Sequence, residues 1–144
     1  MSKFFLQKKE TIYIDTQNQN LYEITKNVKK LIKDSNIEDG LLNLSILHTS
    51  ASLLIQENAS PEVKIDLKNF FNNLVPMNAN LYKHSLEGVD DMPAHIKTAL
   101  TNTNLTLSVI DGSLLLGDWQ GIFLFEHRLS SFRRKIFFHL VGID

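Results

Sequence analysis

The chain has no cysteine, no excess of either charge and no long apolar run. Without cysteine there are no disulfides, Fe–S clusters, thiolate zinc sites or cysteine nucleophiles. The compartment stays open on that ground, since cytosolic and exported chains both occur without cysteine. Fifteen Lys+Arg against sixteen Asp+Glu leave a formal charge of -1. Nonspecific binding to nucleic acid or an anionic membrane needs a basic excess, so neither partner is expected. No stretch approaches the roughly 18 uncharged apolar residues of a membrane span. The first residues carry Lys3, Lys8, Lys9 and Glu10 and lack the apolar core of a signal peptide. A soluble, cytoplasmic chain is the expectation.

What is present is ordinary for a globular protein: 144 residues, 43% hydrophobic and 22% charged, enough for one domain over 1–144. Residues Phe4–Asp15 alternate like a strand. From Asn20, the spacing of Leu21, Ile24, Val28, Leu31 and Ile32 predicts an amphipathic helix, with lysines toward its C-terminal end. Leu41–Gln56 is strand-like with an interruption at His48-Thr49-Ser50. Ser60 and Pro61 are cap and first position of a helix that puts Val63, Leu67, Phe70, Phe71 and Leu74 on one face and ends before Pro76. Met77–Asp91 is a long loop, of the kind that often carries function. Pro93 opens a short helix through Leu100. Strands follow at Leu105–Ile110, Ser113–Leu116, Gly121–Arg128 and Arg134–Val141, with an Asp111-Gly112 hairpin turn and a Ser130-Ser131 turn. The fold expected is α+β, a mixed, mostly antiparallel, sandwich-like β core with two to three helices.

Three histidines fall at polar junctions: His48, His84 and His95. His95 lies just after Pro93, where the helix dipole favours a neutral imidazole. Neutral imidazoles from separate segments can hold a divalent ion such as zinc or magnesium, or they can be three unrelated structural histidines. Glu126 shares a strand face with Ile122 and Leu124 while Phe123 and Phe125 line the other, so it is expected in or beside the core. A buried carboxylate must be paired or hydrogen-bonded, and Arg134 in the next strand is its natural partner. That pair reads equally as a structural ion pair or as part of an anion-binding or acid/base site. Asp66 sits at the edge of a helix stripe, able to face either a site or water. Trp119 and Gln120, bracketed by Gly117 and Gly121, suit either a packed β-bulge or a platform for a planar ring. Phosphate-loop, dinucleotide-loop and esterase-elbow motifs are absent.

Taken in order, HTSASLLIQEN, Pro61 with Asp66, LVP, YKHSLEGVDDMPAHIK, GDWQGIFLFEHR and the final RRK strand with Gly142 resemble the YjbQ-like family across essentially the whole chain. Asp118 stands where the family's motif usually has threonine. The resemblance implies a polar set at His48, Asn58, Asp66, His84, His95, Gln120, Glu126 and Arg134. It also implies a compact α+β subunit assembled as a homotrimer, with clefts near the subunit interfaces. The activity implied is that of a secondary thiamine-phosphate synthase, a transferase that joins hydroxymethylpyrimidine diphosphate to thiazole phosphate with release of pyrophosphate. Under that expectation His48, Asp66, His95, Glu126 and Arg134 carry the chemistry. Asn58, Trp119, Gln120 and Arg134 bind a small phosphorylated substrate, and His48, His84 and His95 hold the metal. A metal-dependent phosphate-ester hydrolase and a noncatalytic binding module are the alternatives.

Overall fold

In chain order the computed structural model, which describes residues 2–144, runs β1 (Phe5–Thr16), β2 (Asn20–Glu23), α1 (Thr25–Ser35), β3 (Asp39–Ile46), β4 (Ala51–Glu57) and α2 (Pro61–Leu74). A one-turn 3₁₀ helix at Ala79–Leu81 precedes α3 (Asp91–Leu100). Then come β5 (Asn104–Ile110), β6 (Ser113–Leu114), β7 (Gln120–Glu126) and β8 (Phe132–Ile143). The strands form two sheets, one in the order β1-β8-β3-β5-β6 and one in the order β2-β7-β4. Three helices on an antiparallel β core make the α+β fold that the residue pattern implies. Every strand pairing is antiparallel, so the parallel component of a mixed sheet does not occur among the described residues.

Period-two alternation builds the core. Leu42 and Leu44 in β3 and Ile136, Phe138 and Leu140 in β8 all point to one face and are fully buried. They meet Ala51, Leu53, Ile122 and Leu124 of the smaller sheet, together with Val28 and Ile32 of α1. Each such large side chain taken out of water contributes about 1.5–3 kcal/mol. Helix α1 touches β1 at one edge of the large sheet and β6 at the other, so the sheet curls around it. The second face of the small sheet presents Phe123 and Phe125, which Leu21 and, from α2, Leu67 and Phe71 cover. At the β5–β6 turn Asp111 and Gly112 both adopt positive φ, at 50° and 71°. That is the geometry an Asp-Gly two-residue hairpin supplies.

Four local expectations need correction. Leu21 belongs to strand β2, paired with Phe125, and the helix begins only at Thr25. A four-residue strand is too short to show alternation, so its apolar residue merged with the helical period that follows. The break at His48-Thr49-Ser50 is a crossing from one sheet to the other, since β3 pairs with β5 and β8 whereas β4 pairs with β7. On α2, Leu67 and Phe71 face inward but Phe70 and Leu74 are exposed. Helix α3 starts at Asp91, two residues before Pro93, which moves Asp91 from the loop onto the helix.

Candidate metal site

Starting α3 at Asp91 puts Asp91 and His95 four residues apart on one helix face. His84 reaches the same carboxylate from the loop before the helix. Its Nε2 lies 2.7 Å from Asp91 Oδ2, and His95 Nε2 lies 3.3 Å from that same oxygen. One donor atom from each of the three residues falls within 4.8 Å of the others. Asp91 is 1% exposed, so its charge is withheld from water, whereas His84 stands open at the surface. The other carboxylate oxygen, Oδ1, accepts from Arg128 Nη1 at 2.8 Å. Arg128 spends its remaining donors on Asp90 Oδ2 (2.9 Å) and the carbonyl of Glu87 (2.8 Å), which pins the end of the loop. Burial works to raise the pKa of Asp90, but the amide of Leu129 and the Arg128 guanidinium prevail and hold it below the usual carboxylate value.

The tautomer of His95 is set by its other nitrogen. Nδ1 lies 2.8 Å from the carbonyl of Thr49, which only accepts, so Nδ1 carries a proton. In the neutral ring Nε2 then offers a lone pair toward a carboxylate oxygen. Two electron-rich atoms 3.3 Å apart call for a cation between them, either a proton or a metal ion. A ring nitrogen tied to a backbone carbonyl and a carboxylate steadied by a guanidinium are the usual supports of metal ligands.

His48 is not part of this group. Its Nε2 accepts the backbone amide of Lys135 at 2.8 Å, so that nitrogen is not free to hold a metal. Asp91 takes the place that the sequence reading gave to His48. Burial, then the charge of Arg134, lower the His48 pKa, and Glu126 opposes them.

Glu126 and Arg134 pair as expected but by another route. They do not sit on neighbouring strands, because β7 lies in the small sheet and β8 in the large one. Arg134 reaches between the sheets: Nε donates to Glu126 Oε1 at 2.7 Å and Nη2 donates to Oε2. Nη2 also donates to the hydroxyl of Ser50 at 3.0 Å, and Thr16 donates its hydroxyl to Glu126 Oε1 at 2.6 Å. Glu126 is fully buried and Arg134 nearly so. Nε and Nη2 of Arg134 thus face Glu126 and Ser50 inside the protein, so a phosphate-binding role would have to draw on its remaining nitrogen, Nη1.

Asn58, Trp119 and Gln120 come together elsewhere. Asn58 N–H donates to the Trp119 carbonyl at 3.0 Å, its side-chain amide donates to Glu23 at 3.1 Å, and Gln120 Oε1 accepts the amide of Gly117 at 2.7 Å. Gln120 and Glu126 terminate opposite ends of β7, about 20 Å apart at ~3.3 Å per residue. Within one chain the two groups cannot both touch one small metabolite. Asp66 is exposed on α2 and makes no hydrogen bond or ion pair among the described residues.

A further buried polar cluster lies beneath α3. Lys97 Nζ donates to Asn72 at 2.6 Å, Asn72 donates to Gln19 at 2.8 Å, and Gln19 donates to the carbonyl of His127 at 3.3 Å. Burial pulls the Lys97 pKa down to about 8 against the field of Asp90. Burial, with the charges of Lys97 and Arg134, holds that of His127 at about 3.

The family model for the UPF0047 protein YjbQ-like family matches residues 10–143. This chain belongs to that family. Among YjbQ-like relatives, the UPF0047 protein sll1880 of Synechocystis is 44% identical over 96% of this chain and 94% of its own length. The UPF0047 protein YjbQ of Escherichia coli O157:H7 is 40% identical over 92% of this chain and 96% of its own. A YjbQ/UPF0047 protein of Clostridium acetobutylicum has a solved structure with a TM-score of 0.81 at 33% identity, covering 94% of this chain and 99% of that one. A YbjQ-like protein of unknown function from Sulfolobus solfataricus matches in fold, with a TM-score of 0.88 at 24% identity over 96% of this chain and 99% of that one.

These relatives overturn the expected thiamine-phosphate synthase activity. They carry a family name and no reaction, and the transferase reading goes with the synthase. The geometry agrees with the correction. Joining a diphosphate to a phosphate needs two cationic cradles, and Arg134, the arginine expected to bind phosphate, is paired with the buried Glu126.

The sequence reading of this YjbQ-like chain missed Asp91, Arg128 as its support, and the Lys97–His127 cluster. A signal for Asp91 existed in its spacing of four from His95, but it shows only when the helix starts ahead of Pro93. Proline is tolerated in a helix's first turn, so it need not be the first residue.

Proposed function

We propose that His84, Asp91 and His95 hold one divalent transition ion and that the protein works as a metal-dependent catalyst on a small molecule. The observation that supports this most is the pair of imidazole nitrogens converging on one oxygen of a buried, arginine-braced carboxylate. Two imidazoles and one carboxylate suit zinc, whereas magnesium prefers oxygen ligands and keeps most of its water. Held by three protein donors, such an ion supplies Lewis acidity at its remaining position. The residues do the rest. Thr49 orients His95, Arg128 orients Asp91, and the buried Glu126–Arg134 pair, whose carboxylate also accepts the amide of Arg128, keeps the floor of the site rigid. A cytoplasmic setting and a homotrimeric assembly belong to the same proposal, the second supported by large apolar side chains left exposed at Ile65, Phe70, Leu74 and Leu86.

Zinc titration of metal-stripped protein, followed by calorimetry or a competing chromophoric chelator, tests the reading. One zinc per chain is expected. His95→Ala is expected to weaken binding at least about 100-fold, as losing one of three ligands should. Substoichiometric binding, or binding unchanged in His95→Ala, would remove the proposal.

A further inference from the structure

The two ligands carried by α3 are braced from opposite sheets. Asp91 depends on the small sheet. Arg128, two residues past the end of β7, donates Nη1 to Asp91 Oδ1 at 2.8 Å, and its own backbone amide donates to Glu126 Oε2 at 3.2 Å. His95 depends on the large sheet, through the segment that crosses from β3 to β4. There Leu47 N–H donates to the Lys135 carbonyl at 3.1 Å, and His48 Nε2 accepts the Lys135 amide at 2.8 Å. Arg134 Nη2 donates to the Ser50 hydroxyl at 3.0 Å and to the Ser50 carbonyl at 3.2 Å. Thr49, whose carbonyl accepts from His95 Nδ1 at 2.8 Å, therefore lies between two residues that β8 holds.

That carbonyl has little freedom. Peptide units are rigid planes, so with His48 and Ser50 both fastened only a few backbone dihedrals separate the Thr49 oxygen from its anchors. Arg134 Nη2 has two hydrogens for three acceptors: one goes to Glu126 Oε2 and the other is shared by the two Ser50 oxygens. One guanidinium nitrogen thus grips both the carboxylate and the crossing.

The circuit closes at Glu126. Its carboxylate accepts Nε and Nη2 of Arg134 on one side and the amide of Arg128 on the other. The path runs from Asp91 through Arg128, Glu126, Arg134, Ser50 and Thr49 to His95, and α3 joins His95 back to Asp91 four residues earlier. Each hydrogen bond along it spans 3.2 Å or less. An ion pair that only joined the sheets could sit anywhere along β7 and β8. This one meets the supports of both ligands.

We infer that Arg134 and Ser50 are positioning residues of the metal group: through Thr49 they aim the His95 ring, and through Glu126 they tie that aim to the Asp91 carboxylate. This inference rests on the metal reading above and extends it to what fixes the ligand geometry. One neighbouring bond supplies a contrast. Thr16 donates its hydroxyl to Glu126 Oε1 at 2.6 Å, which steadies the same buried pair but leads to neither ligand.

The test uses the full, metal-stripped chain. Zinc affinity is read by competition with a chromophoric chelator, and cobalt(II) serves as a probe whose visible absorption reports ligand geometry. Ser50→Ala removes the hydroxyl that holds the crossing and leaves the charge pair whole. Arg134→Lys keeps the charge but loses the fork that reaches Glu126 and Ser50 together. Both are expected to weaken zinc about tenfold and to change the cobalt spectrum, as losing a ligand's outer support does. Thr16→Val is expected to keep zinc affinity within about twofold and to leave the spectrum unchanged. Wild-type zinc affinity and cobalt spectrum in folded Ser50→Ala overturn the inference and leave the metal reading standing, whether or not Arg134→Lys folds. An equal loss in Thr16→Val would reduce the effect to a loosened core and overturn it as well. Failure of the wild type to bind either ion overturns the metal reading, and this inference with it.

Discussion

Removing either half of the Glu126–Arg134 pair strands a charge, or a group hydrogen-bonded to one, where water does not reach. Glu126→Ala or Arg134→Ala is expected to cost about 3–5 kcal/mol of unfolding free energy, while a double exchange to apolar residues of similar volume recovers most of it. Urea denaturation of the wild type, the two single variants and the double exchange checks this. Residue parity along β7 was enough to mark Glu126 as anomalous and to name its partner. It was not enough to show that the partner reaches in from the other sheet, because alternation gives the facing of a side chain and says nothing about which strands are neighbours. His127 was invisible for a related reason. A histidine at the end of an apolar strand looks like a boundary residue until both sheets and α3 close over it.

His127 also gives the molecule a pH dependence. Its pKa in the folded protein, about 3, lies below the ordinary 6.5. Above pH 6.5 the ring is neutral folded or unfolded, and it contributes nothing to the slope. As pH falls from 6.5 toward 3, the unfolded chain takes up a proton that the folded protein refuses, and stability drops by up to ~1.4 kcal/mol per pH unit. A stability-against-pH series should show His127→Asn flatter than wild type over that window. Parallel curves would mean that the ring is protonated without cost in the folded protein.

Among the elements, β8 carries the tightest constraint. Gly142 faces Gly40 across the β3–β8 ladder. A Cβ on Gly142 would lie 2.2 Å from the carbonyl oxygen of Asp39, and one on Gly40 would lie 2.3 Å from that of Val141. Both obstacles are backbone, so no side-chain rotation relieves them. Gly142→Ala is therefore expected to cost clearly more than the ~1 kcal/mol of a typical substitution, as read from thermal unfolding. Most elements were legible from period and punctuation, including the Asp-Gly hairpin and the Ser60-Pro61 start of α2. The errors gathered at boundaries, and one of them mattered. Two residues of helix ahead of Pro93 separate a loop aspartate from a ligand four residues before His95.

On the scale of the whole molecule, the sites divide between two ends. The metal group, braced by Arg128, lies where β7 ends, and Asn58, Trp119 and Gln120 lie where it begins. Family membership was readable from the ordered motifs because they fall on strand ends and loops throughout the chain. The reaction was not readable, since it depends on which cations are free, and only the folded molecule shows Arg128 and Arg134 paired with buried carboxylates. The proposed homotrimer is tested by light scattering, where three times the 16.5 kDa chain mass is expected and a single chain mass would contradict it.

The pairing of β1 with β8 has a consequence for how the protein is made. Phe5–Thr16 leaves the ribosome well before Phe132–Ile143, its one strand partner among the described residues. At about 5–20 residues per second, that strand waits some 6–25 s with its backbone unsatisfied on both sides. The large sheet therefore cannot close during translation, and nascent chains stalled before Phe132 should be open to protease at β1 and protected only once the last strand has emerged.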